Sequence, residues 1–67
     1  MSVARTTEIS STSTKSFEDA INQGIARASK TLRNLKAAWI KEQKVVIDND
    51  RIAEYNVHML ITFVLED

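Results

Sequence analysis

The stretch IAEYNVHMLITFVL, residues 52 to 65, decides how this chain folds. Its odd-numbered positions, Ala53, Tyr55, Val57, Met59, Ile61, Phe63 and Leu65, form an unbroken apolar row at period two. That is the signature of a strand with one face against a core. The even-numbered row is mixed: Ile52, Glu54, Asn56, His58, Leu60, Thr62 and Val64. Immediately upstream, Asp48-Asn49-Asp50 is a turn by composition. Residues 37 to 47, AAWIKEQKVVI, read as the partner strand of a hairpin. Simple alternation places Ala37, Trp39, Lys41, Gln43, Val45 and Ile47 on one face of that strand, and Ala38, Ile40, Glu42, Lys44 and Val46 on the other.

Further upstream the period changes from two to three and four. Phe17, Ala20, Ile21, Gly24, Ile25, Ala28, Leu32 and Leu35 make one stripe of a helix. Ser16 is a good N-cap, with Asp19 three residues on in a near capping-box arrangement. Glu18 and Asp19 at the start, and Lys30 and Arg33 at the end, suit the helix dipole. The pattern predicts a helix over 17 to 34, whose small residues Ala20, Gly24 and Ala28 allow close approach to a sheet. Residues 3 to 9, VARTTEI, read as a short strand, and the hydroxyl-rich run from Ser10 to Ser16 as a turn into the helix. The resulting order is β-α-β-β. This is an α+β fold, a three-stranded antiparallel sheet wrapped around one amphipathic helix, in a single domain over residues 1–67.

Composition narrows the function classes. Nine Lys and Arg balance nine Asp and Glu. A neutral chain lacks the cationic excess on which nucleic-acid and anionic-membrane binding rests. The basic run Arg27, Lys30, Arg33 and Lys36 therefore reads as a solvated or salt-bridging face. Without Cys there are no disulfides, thiolate metal sites or cysteine nucleophiles. No apolar run nears the roughly 20 residues that span a bilayer. Met1 to Glu8 has no apolar secretion-signal core, so a cytoplasmic location is expected. A lone Gly24 inside a helix makes no phosphate loop, and no spacing justifies a Ser-His-acid arrangement; no enzyme is expected. At 67 residues a single core seldom gives more than about 3–5 kcal/mol, and partners are one remedy. One helix covers one side of a sheet. The other side, with Trp39, Val45, Ile47, Leu60 and Val64, is the predicted assembly surface.

Several stretches make the chain resemble the dodecin family. They are EISSTS at 8 to 13, SFEDAI at 16 to 21, IARASKTLRNL at 25 to 35, and RIAEYNVHMLITFVLED at 51 to 67. The resemblance implies a subunit of a hollow homododecamer with cubic 23 symmetry. It also implies non-catalytic storage or quenching of flavins such as riboflavin, FMN or lumichrome. In flavin-binding members a Trp opens the second strand, and its symmetry copies sandwich a pair of flavins. A Gln on the last strand hydrogen-bonds the ring. Here the Trp position falls on Ala37 and the Gln position on Asn56. Trp39 is the only Trp and lies two residues further along. Members without the stacking Trp include calcium-binding dodecins, and AAWIKEQ at 37 to 43 looks closer to those.

Each candidate residue carries two readings. Trp39 fills a subunit interface, or contacts a ring-shaped ligand. Asn56 is a polar plug on the sheet, or the carried-over ligand amide. Lys44 is a solvated strand lysine, or the counterpart of a basic residue near the FMN phosphate; a second such basic position falls on Val64. His58 is the sole His, so a zinc site within one chain is not expected. Asp48, Asn49 and Asp50 carry oxygen ligands suited to calcium, yet read more simply as a turn. The expected cofactor is a flavin at Ala37, Trp39, Lys44 and Asn56. The alternative is a flavin-free shell, structural or calcium-binding.

Overall fold

The long alternating segment becomes the central strand of a sheet. The computed structural model describes residues 3–65; the terminal acids Glu66 and Asp67 lie outside the described residues. Strand β1 covers Val3–Ser13, helix α1 Phe17–Ala28, β2 Leu35–Asp48 and β3 Arg51–Leu65. The three strands form one antiparallel sheet in the order β1-β3-β2, and α1 lies across β1 and β3. This is the α+β architecture expected from the sequence.

The apolar row of β3 supplies the core. Val57, Met59 and Ile61 are buried almost completely, together with Ala20 from the helix. Ile9, Phe17, Ile21, Ile25, Leu32, Leu35 and Ile40 close around them. The expected core row is shorter than its pattern, because the helix does not reach its ends: Ala53 and Leu65 are exposed. Tyr55 is half-buried, with its ring edge-on to Phe17 at 5.1 Å between centroids. Gly24 is required by close approach. A Cβ built there would stand 2.5 Å from Met59 Cε and 3.2 Å from Ser11 Cβ.

Three boundaries differ from the sequence expectation. First, β1 runs on through Ser13, where a turn was expected from Ser10. The hydroxyls of this stretch point across to β3: Ser10 meets His58 Nδ1 at 3.1 Å, and Thr12 donates to Asn56 Oδ1 at 2.7 Å. The turn proper begins at Ser13, whose buried hydroxyl accepts from the Lys15 amide and donates to Asp19. Second, α1 ends at Ala28, not near residue 34. Its N-cap is Ser16 as expected, accepting from the Asp19 amide at 2.9 Å. At the other end, Ser29 and Thr31 turn their hydroxyls onto the Ala26 and Ala28 carbonyls. Arg27 is then the basic residue in the last turn, and Lys30 and Arg33 lie beyond it. Asn34, with φ of 60°, redirects the chain and is clamped to Val64 through its backbone carbonyl and side-chain amide. Third, β2 is longer than expected, Leu35–Asp48, and it is bulged. The turn after it is as expected, with Asn49 and Asp50 both at positive φ, as a two-residue hairpin connection of the I′ kind requires.

The bulges overturn the simple alternation in β2. Ile40 pairs with Met59 and Glu42 with His58, leaving Lys41 as the extra residue. From there on the parity is reversed. Gln43 and Val45 pair with Val57 and Tyr55 on the helix side, while Glu42, Lys44 and Val46 stand on the outer face. Val45 therefore leaves the predicted assembly surface and Val46 takes its place. A further shift between Val46 and Ile47 keeps Ile47 outward, opposite Ile52.

Candidate functional site

The outer face of the sheet carries every residue singled out as a candidate ligand contact. Ala37 lies opposite Thr62, Trp39 opposite Leu60, and Lys44 opposite Asn56. The structure does not gather the four into one pocket. Ala37 and Trp39 stand two residues apart at one end, about 6–7 Å along the strand. Lys44 and Asn56 stand at the other end, and from the Leu60 rung to the Asn56 rung is four residues, about 13 Å. The site is two half-sites on one long face.

In the first half-site the Trp39 side chain is 64% exposed and lies beside the small Ala37. An indole left this open presents a flat, polarizable surface on which an aromatic ring can stack. In the second, Asn56 Oδ1 accepts from Thr12, which orients the amide and leaves its NH2 group without a partner among the described residues. A depression of about 220 Å³ lies around it, lined among others by Thr12, Lys44, Asn56 and His58.

Between the half-sites sits a cluster that the sequence reading missed. The Glu8 carboxylate accepts from His58 Nε2 and, at 3.3 Å, from Lys41 Nζ, so one side chain from each strand meets at one point. Ser10 Oγ lies 3.1 Å from His58 Nδ1. A neutral ring with its proton on Nε2 satisfies both contacts, donating to Glu8 and accepting from Ser10. These bonds from His58 and Lys41, and the Lys41 charge, hold the Glu8 carboxyl below the usual carboxylate range. The missing signal was the register: alternation already puts Lys41 on the face of Trp39, but nothing in the sequence announces that Glu8 lies beside His58 across the strands.

Among the described residues no group of three or more His, Asp or Glu is placed to hold a metal within one chain. The Asp48–Asp50 segment is a tight turn, as the simpler reading had it.

The family model described as Dodecin matches residues 3–66. The chain belongs to the dodecin family. The dodecin of Thermus thermophilus is 37% identical over 65 residues, covering 97% of this chain and 94% of that one. Among solved dodecins, that of Streptomyces davaonensis overlays with a TM-score of 0.93 at 35% identity, covering 98% of this chain and 97% of that one. The calcium dodecin of Mycobacterium tuberculosis, described as calcium-chelating with a novel calcium-binding site, overlays with a TM-score of 0.82. It is 25% identical, and the match covers 96% of this chain and 91% of that one. Both overlay on this β-α-β-β architecture. Among the described residues no helix is long and apolar enough to cross a membrane.

Proposed function

We propose that the chain forms a closed homododecamer that binds a flavin between its subunits and stores it without turnover, in the cytoplasm. The observation that carries the ligand reading is the open Trp39 indole on a sheet face that no element among the described residues covers. Half-sites about 13 Å apart cannot grip one isoalloxazine ring within a single chain. A second copy laid over the face brings one chain's indole toward the other's amide, so the ligand and the assembly require each other. Trp39 would stack on the ring, the Asn56 NH2 would donate to a ring carbonyl, and Lys44 would meet a phosphate where the flavin is FMN. On this reading the chain is a single domain, residues 1–67, with a storage role and no catalytic one.

Ala37 favours a second reading. It stands where the flavin-binding members carry their stacking Trp. A missing aromatic stack costs about 0.5–1.5 kcal/mol beyond lost area, and two-fold symmetry counts it twice. That is roughly a tenfold or greater weakening. The flavin-free alternative is a shell, structural or calcium-binding, in which Trp39 only packs. Its calcium ligands would be shared between subunits.

Riboflavin titration separates the two. On the flavin reading, stacking on indole quenches flavin fluorescence, Trp39→Ala loses the quenching, and Ala37→Trp with Asn56→Gln binds at least tenfold tighter. Unchanged fluorescence with wild-type protein contradicts flavin storage, and calcium-dependent melting then tests the alternative.

A further inference from the structure

We propose that His58, set among Glu8, Ser10 and Lys41, is an acid-sensitive lock on the outer sheet face that releases the assembled subunits when the ring is protonated. This rests on the assembly reading above. The geometry is that of a balanced cluster at the middle of a face that has to be covered. From β1, Glu8 and Ser10 contact the ring directly. From β2, Glu42 lies opposite it, Lys41 reaches it through their shared carboxylate, and Lys44 stands one rung away. On β3 its same-face neighbours are Asn56 and Leu60, and α1 lies on the other side of the sheet.

The charges on this patch cancel while the ring is neutral, since the carboxylates of Glu8 and Glu42 match the ammonium groups of Lys41 and Lys44. A neutral, hydrogen-bonded patch can be covered by another subunit at little cost, whereas a patch with net charge resists desolvation. Protonation of His58 turns its contact with Glu8 into an ion pair and leaves the patch as a whole with one positive charge in excess. It also turns Nδ1 from acceptor into donor, so Ser10 has to reverse its hydroxyl. The carboxyl of Glu8, already held below its usual range, keeps its charge longer than an ordinary carboxylate as acid is added. Imidazoles as a class change charge at milder pH than carboxylates, which is why the test turns on the ring. Closed symmetry repeats the same added charge at every interface, which makes release steep in pH.

The test is assembled mass by light scattering on the full chain, from about pH 8 to about pH 4. The wild type should fall from oligomer to smaller species over a narrow pH range. His58→Gln, which can still donate to Glu8 but takes no proton, should hold together to a pH lower by about one unit or more. Lys41→Met leaves the patch one negative charge in excess at neutral pH. That excess is cancelled once the ring is protonated, so this variant should assemble better on mild acidification. Glu8→Gln should weaken assembly already at neutral pH. If wild type and His58→Gln dissociate at the same pH, or Lys41→Met weakens with acid as the wild type does, the lock is wrong and the assembly reading stands. A wild type that is monomeric at every pH overturns both.

Discussion

Asp19 ties the end of β1 to the first turn of α1 through three hydrogen bonds. Its carboxylate accepts from the buried Ser13 hydroxyl and from the Gln23 amide, while its own backbone amide donates to the Ser16 cap. The Ser13 bond, then the Gln23 bond, hold its carboxyl below the usual carboxylate range. A carboxyl lowered in the folded state contributes stability above its unfolded value and loses it as pH falls through the folded value. Asp19→Ala should therefore melt below wild type at neutral pH, and the gap should narrow in acid; a gap that stays constant or widens contradicts this. At this scale the sequence was partly legible. The Ser16 cap and Asp19 were visible from spacing alone. The partners of Asn56, His58 and Glu8 were not, because cross-strand pairs depend on a register that no local pattern encodes.

The helix and the sheet meet at Gly24. With Met59 Cε and Ser11 Cβ inside the reach of any new Cβ, adding bulk here forces the elements apart. Gly24→Val should cost about 1–3 kcal/mol through overpacking, read as a lower denaturation midpoint. Stability equal to wild type would show that the helix can slide without penalty. Element identity was legible because each period was long: seven odd-numbered apolar residues for β3, and the three-four stripe for α1. The ends were not. Ser10 to Ser13 has turn composition, yet the Ser10 and Thr12 hydroxyls find partners across the sheet and the strand continues. The apolar stripe continued to Leu35 although the helix stops at Ala28; Leu32 and Leu35 still pack on the core, but from a turn and a strand. The Lys41 bulge reversed half of β2, and with it moved Val45 inward and Glu42 and Lys44 outward.

The whole molecule is a slab of 51 × 19 × 13 Å with its helix on one side. Trp39, Val46, Ile47 and Ile52 remain exposed, all of them on the outer face. So small a chain buries a modest fraction of its surface, and a second covered face is what would make it robust. This need was legible from composition and element count alone. Which residues cover it was legible only in outline, since Trp39, Ile47, Leu60 and Val64 were placed correctly and Val45 was not. The proposed function depends on that cover, because it has the Trp39 end of one chain and the Asn56 end of another hold the ring together. The most direct test is the mass of the purified chain in solution at neutral pH, measured by light scattering or sedimentation. The account predicts a single closed species of twelve chain masses. A stable species of one chain mass contradicts it, and with it every site placed between subunits.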